Sequence, residues 1–231
     1  MIRSSVFLAA AVAGLALSGA TARAEDVNVN INSPNADVKV HDDSQPTGQP
    51  MLFVSGGGNS SFRDLDEASS SSFDTGYNVG GGIGVQLTRG VALRASYTFS
   101  RATANGSATT AFFSPVAGND FDRHYYGADL QFRAYNQSGV TPYFFLGGGA
   151  VTVSPTNNAI ILTPAGAQFS NDSFTKPAGR AGIGLEYQFP RSGFGLYAEA
   201  AGWAYKWDRY GFDRTQVDTN WGGGITYRFG Y

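Results

Sequence analysis

Apolar and aromatic residues return on every second position over much of this chain, and the closing run shows the pattern most fully. In Trp221-Gly-Gly-Gly-Ile-Thr-Tyr-Arg-Phe-Gly-Tyr231, the residues Trp221, Ile225, Tyr227, Phe229 and Tyr231 share one parity. Gly222, Gly224, Thr226, Arg228 and Gly230 take the other. A period of two means a β-strand with two different faces. One face here is a row of large rings with no charge among them. At a sheet edge in water such a row invites aggregation, whereas against lipid it is what the surroundings favour.

The same alternation recurs upstream. Tyr77, Val79, Ile83, Val85 and Leu87 oppose Asn78, Gly80, Gly82, Gly84 and Gln86. Val91, Leu93, Ala95, Tyr97 and Phe99 oppose Arg94, Ser96, Thr98 and Ser100. Tyr126, Ala128, Leu130 and Phe132 oppose Tyr125, Asp129, Gln131 and Arg133, and Ala181, Ile183, Leu185, Tyr187 and Phe189 oppose Arg180, Gly182, Gly184, Glu186 and Gln188. A run at 51–58 reads as a first strand. Two further runs, 141–153 and 194–207, are apolar on both parities, so their facing stays open. Eight strands result. Their connections alternate between long polar loops (59–75, 102–122, 154–175, 208–216) and short turns at 89–90, 136–140 and 190–193. Long connections at one end and short ones at the other are the mark of a transmembrane barrel. The predicted fold is all-β, an eight-stranded antiparallel up-and-down transmembrane β-barrel over residues 51–231.

The N-terminus agrees with export. Arg3, an apolar run from Val6 to Leu17 and Ala22-Arg23-Ala24 have the order of a secretory signal peptide, so residues 1–24 are expected to be a leader. Residues 25–50 are polar and read as a flexible periplasmic extension. The apolar run is too short to cross a bilayer, and no other stretch is long enough to cross as a helix. A membrane-embedded chain of this kind must therefore close into a barrel. Charged residues are 15% of the chain, against about 25% in soluble domains. Acidic residues outnumber basic ones, 18 to 16, which argues against nucleic acid as a partner. With no cysteine there is neither a disulfide framework nor thiolate chemistry.

On this parity the inner face carries Arg94, Asp129, Arg133, Arg180, Glu186 and Arg228, with Glu199 added from the seventh strand. Eight strands enclose a space just wide enough to be filled by side chains. Charges of both signs there read as ion-paired plugs, because an unpaired charge in a narrow lumen is costly. The other reading of the same residues is a pore lining. Glycine clusters at 80–84, 147–149, 179–184 and 222–224 complete no phosphate-binding motif and are expected to permit close backbone approach. Tyr97 and Phe99, Tyr187 and Phe189, Phe229 and Tyr231, and Trp203 and Trp207 are expected to form aromatic girdles at the membrane interfaces.

With these features the chain resembles the small outer-membrane β-barrels. The nearest group is the opacity-type surface antigens, within the family sharing the eight-stranded transmembrane fold of outer membrane protein A. The likeness spans about residues 51–231 and rests on the leader, the barrel pattern, the long loops and the terminal Gly-Ile-Thr-Tyr-Arg-Phe-Gly-Tyr. It implies a Gram-negative outer-membrane location, in contact with lipid and lipopolysaccharide. It also implies an assembly signal at Ile225, Tyr227, Phe229 and Tyr231, read by the barrel-assembly machinery. Such signals usually end in Phe, and this chain ends Phe229-Gly-Tyr231. A monomer is expected.

Chemistry has little to work with. The two histidines are His41, in the extension, and His124, at the loop end of a strand. Barrel lipid A deacylases carry a strand histidine in a His-x-Ser-Asn run, but Tyr126 and Gly127 stand where that serine and asparagine would be. No catalytic, cofactor-binding or metal-binding residue is expected. Acids at 64, 66 and 67 read as solvated loop charge. The expected function is non-enzymatic: display of four extracellular loops for envelope integrity, adhesion or antigen presentation, with a host or envelope protein as the loops' ligand. The alternative is a small porin of the porin-family kind. A soluble barrel binding a ligand inside would need the opposite facing.

Overall fold

The computed structural model describes residues 48–61, 72–105, 120–134, 139–156, 159–163, 166–170, 172–208 and 213–230. The expected leader, nearly all of the 25–50 extension, most of the long loops and Tyr231 lie outside these. Among the described residues every regular element is a strand.

Eight strands form the wall: β1 (Gln49–Ser61), β3 (Gly76–Thr88), β4 (Val91–Asn105), β5 (Asp120–Arg133), β6 (Val140–Pro155), β9 (Phe174–Gln188), β10 (Phe194–Trp207) and β11 (Arg214–Arg228). Each pairs antiparallel with its neighbours, and β1 pairs with β11 from Met51↔Arg228 to Ser61↔Asp218, which closes the ring. The two-residue β2 (Ser72–Phe73) adds to the loop end of β4. β7 (Ala159–Thr163) and β8 (Gly166–Ser170) form a separate hairpin inside the third long connection.

The strands run 13 to 16 residues, longer than the roughly 9–11 a tilted strand needs to cross hydrocarbon. The excess lies mainly at the loop end, where β1, β4, β5, β6, β9 and β11 continue into segments that the polar composition reads as loop. Backbone pairing there does not depend on apolar residues, so composition alone misplaces the boundary. At the opposite end the barrel begins at Gln49, and Arg191 takes a left-handed φ of 57° in the 189–193 turn.

Side chains sort by parity. Leu52, Val54, Tyr77, Val79, Ile83, Leu93, Leu130, Leu146, Leu185, Leu196, Trp221 and Ile225 are all exposed on the outer face, at 41–61%. An apolar belt of this extent is far beyond the few hundred Å² tolerated on soluble monomers and matches a lipid-facing band. The two strands whose facing was open resolve the same way. On β6, Phe144 and Leu146 face out while Tyr143 and Phe145 are buried; on β10, Phe194 and Leu196 face out while Tyr197 is buried.

One expectation is overturned. Trp203 and Trp207 are not girdle residues, since both are 1% exposed and lie inside the barrel. They share the parity of Tyr197 and Glu199, and in a strand parity decides facing regardless of ring chemistry.

The glycine clusters acquire a specific role inside. Met51 is paired across strands with Gly84, Phe53 with Gly82, Tyr143 with Gly184, Phe145 with Gly182 and Tyr197 with Gly224. Each large inward side chain lies over its glycine. A Cβ on Gly82 would stand 2.6 Å from Phe53 Cζ, and one on Gly224 would stand 2.7 Å from Tyr197 Cε1. Real Cβ atoms do not approach so closely, so glycine supplies the floor on which the ring rests.

Candidate functional site

Among the described residues, buried polar side chains concentrate in the lumen, and the parity of the strands delivers them there. Below the rim, the described residues place five arginines (Arg94, Arg123, Arg133, Arg180, Arg228) and four carboxylates (Asp129, Glu186, Glu199, Asp218) inside the wall. They form three tiers.

At the turn end, Glu186 on β9 is shared. Its Oε1 accepts from Arg228 Nη2 at 2.6 Å and from the Thr226 hydroxyl at 2.9 Å, and its Oε2 faces Arg133 Nη2 at 3.0 Å. Arg133 also donates twice to Gln131 Oε1, at 2.9 and 3.1 Å. These groups come from β5, β9 and β11, so the tier ties opposite sides of the ring together.

The middle tier is a four-membered square. Arg94 donates through Nε to Asp129 at 2.9 Å and through Nη1 to Glu199 at 2.8 Å. Arg180 donates through Nη1 to the second oxygen of Asp129 and through Nη2 to Glu199 at 2.9 Å. Ser96 accepts from Arg180 at 2.8 Å, and the Tyr143 hydroxyl donates to Glu199 at 3.1 Å. Arg94 and Asp129 are direct cross-strand partners. Asp129 and Arg180 both pair with Gly147, one from each side. With no side chain on Gly147, the two reach each other over β6. Both guanidinium planes lie 4.6 Å from the Phe145 ring centre, within cation–π range.

The loop-end tier centres on Asp218, whose side chain is fully buried. It accepts from Tyr205 at 2.8 Å, Tyr125 at 2.9 Å, Ser61 at 2.7 Å and Gln216 at 3.1 Å, with Arg123 Nη1 at 3.4 Å. Above it lies an aromatic cap of Phe73, Phe121, Phe174 and Trp207. Ring centres are 5.4 Å apart for Phe73 and Phe121 and 5.0 Å for Phe174 and Trp207. Arg123 stacks 4.0 Å over Phe73, and Trp203 fills the level between Tyr125 and Arg180.

Of the residues that sequence parity assigns to the lumen, the structure gathers Arg94, Asp129, Arg180 and Glu199 into the middle tier and Arg133, Glu186 and Arg228 into the turn-end tier. The sequence reading left out Arg123 and Asp218. Both carry the signal that would have found them, since Arg123 shares parity with Tyr125 and Asp218 with Asn220. On the outer wall, Ile225, Tyr227 and Phe229 are exposed at 49%, 36% and 42%. Tyr231 lies beyond the described residues. His124 is also outside, its Nδ1 2.7 Å from the Tyr97 hydroxyl and its ring packed near Phe99.

This arrangement holds the wall together across the ring, with most of its charged groups engaged on one another. Two oppositely charged pairs around one square, each desolvated, are stable only when geometry and hydrogen bonding are good, and here each carboxylate oxygen of the square meets a guanidinium.

The architecture has solved counterparts. The chain aligns with Neisserial surface protein A (NspA) at a TM-score of 0.51 and 13% identity, over 79% of this chain and 98% of that one. OprG of Pseudomonas aeruginosa gives 0.46 at 14% identity over 81% and 99%, and Ail, the attachment invasion locus protein of Yersinia pestis, gives 0.44 at 19% over 80% and 100%. At such identities the likeness is one of fold, and of these three only the first exceeds a score of 0.5. No known protein family and no curated protein matches the sequence. The fold is that of the small eight-stranded outer-membrane barrels.

Proposed function

We propose that this protein is a non-enzymatic outer-membrane barrel that presents its long connections at the cell surface on a wall closed to solute flow. The observation that carries the reading is the filled lumen: three ion-paired tiers stacked under an aromatic cap, joined by hydrogen bonds that cross the ring. The exposed apolar belt supports a wall lying in the bilayer, which would have lipid and lipopolysaccharide around it. The long connections would then face the exterior and the short turns the periplasm. Loops on a rigid scaffold carry recognition, so envelope integrity, adhesion or antigen display would rest on them, through a host or envelope protein ligand. The exposed row Ile225, Tyr227, Phe229, continued by Tyr231, would serve the barrel-assembly machinery. A monomer satisfies this work, since the ring closes on itself.

Planar-bilayer recording separates this reading from a small porin. The purified, detergent-folded barrel is expected to show no stable unitary conductance. Stable unitary currents whose size or selectivity changes on charge reversal at Arg94 or Arg180 would replace the closed-wall reading with the porin.

A further inference from the structure

Between the turn-end and middle tiers the packing leaves a small void, lined among others by Arg94, Arg133, Met51, Phe53, Tyr143 and Tyr197. It admits one body of about water size. Both arginines are more than nine-tenths buried. Arg94 uses Nε and Nη1 on Asp129 and Glu199, and its Nη2 has no hydrogen-bond partner in the protein. Arg133 uses Nε and Nη2 on Gln131 and Glu186, and its Nη1 likewise has none. The other polar side chains on the wall make hydrogen bonds, Gln131 accepting through its Oε1 from Arg133. Tyr143 donates to Glu199, Tyr197 to the Val54 carbonyl, Thr226 to Glu186, and Glu186 accepts from three donors.

We propose that this void is a binding site for a single monatomic anion of the chloride class, held by Arg94 Nη2 and Arg133 Nη1. The buried wall atoms left without a partner are both guanidinium N–H donors, so the site asks for a guest that only accepts. Water would bring two hydrogens of its own to a wall whose carboxylate, Glu186, is already engaged on both oxygens. The size of the space excludes sulfate and phosphate. The thioether of Met51 is flexible enough to yield the few tenths of an ångström that separate a halide from water. The rings of Phe53, Tyr143 and Tyr197 complete the pocket, and aromatic edges carry positive charge that favours an anion. Opposing the site is the carboxylate of Glu186, whose charge is shared between Arg133 and Arg228. The anion would bridge two tiers that share no direct ion pair among the described residues.

Crystals of the detergent-folded barrel soaked in sodium bromide test this directly. An anomalous peak between Arg94 and Arg133, lost in Met51→Phe, where the larger side chain fills the space, supports the site. An ordinary water refined at that position with no anomalous signal overturns it. In solution, the thermal midpoint is followed as chloride replaces gluconate at constant ionic strength. A saturating rise of a few degrees, absent in Arg133→Gln, is the expected result, and equal midpoints in the two salts would rule the anion out.

Discussion

Asp129 offers the sharpest test of a dry, packed lumen. Its side chain is 0% exposed, and its two oxygens engage Arg94 at 2.9 Å and Arg180. Replacing it with alanine removes half of the negative charge in the middle tier and leaves two guanidiniums sharing one carboxylate, Glu199. Breaking a buried ion pair by deleting one partner costs about 3–5 kcal/mol, because a charge is left desolvated without compensation. The control is the outer-face pair Arg101–Asp122, 2.6 Å apart but 39% and 19% exposed, where Asp122→Ala should cost about 0.2–1 kcal/mol. Asp129→Asn keeps an amide oxygen as acceptor and should fall between the two. Urea unfolding of barrels folded into one vesicle composition, followed by tryptophan emission, gives all three on a common scale. A loss below about 1 kcal/mol for Asp129→Ala would mean that water reaches the guanidiniums, and the packed-lumen argument would fail.

Two further outcomes are expected. Leu146 is 56% exposed on the outer face of β6, so Leu146→Arg should cost about 2–4 kcal/mol in vesicles if it faces the hydrocarbon midplane, against within about 0.5 kcal/mol for a surface change on a soluble barrel; the same unfolding assay reads it. Phe229→Ala combined with Tyr231→Ala should block delivery to the outer membrane, whereas removal of Gly230 and Tyr231 should be tolerated because Phe229 can serve as the terminal aromatic; normal outer-membrane levels of the double variant in cell fractions would refute the assembly role.

Much of the wall was legible because a strand's period is two and a barrel has two chemically distinct sides. The strands 76–88 and 194–207 are bounded in the structure as their composition suggests, since glycine, proline or serine marks their turns. Facing stayed open only where both parities are apolar. On β6 nothing in Phe144-Phe145-Leu146 distinguishes a ring resting on Gly182 from one turned to lipid; the cross-strand glycine decides it, and strand register is not visible in one sequence. Trp203 and Trp207 were misplaced for a different reason. An aromatic near a strand end suits an interface girdle, but the loop end of this lumen is closed by aromatic rings rather than by charge. Their shared parity with Glu199 was the better guide. Arg123 and Asp218 fall at the loop-end limits of runs that composition already reads as strand, just past the loops ending at 122 and 216, and they were missed because parity was not carried to those end positions. The square of Arg94, Asp129, Arg180 and Glu199 brings together residues far apart in the chain, through a register that passes Asp129 and Arg180 across Gly147.

The three tryptophans supply the most direct test of the central claim, that the rings of this barrel divide between lipid outside and a packed lumen within. Trp221 is 50% exposed on the outer wall, while Trp203 and Trp207 are each 1% exposed inside it. Variants that keep one tryptophan and carry phenylalanine at the other two positions can be folded into vesicles of lipids brominated along the acyl chain, a contact quencher. The structure predicts strong loss of emission for the protein retaining Trp221 and little for those retaining Trp203 or Trp207. Quenching of Trp203 or Trp207 to the level of Trp221, or an unquenched Trp221, would contradict the account.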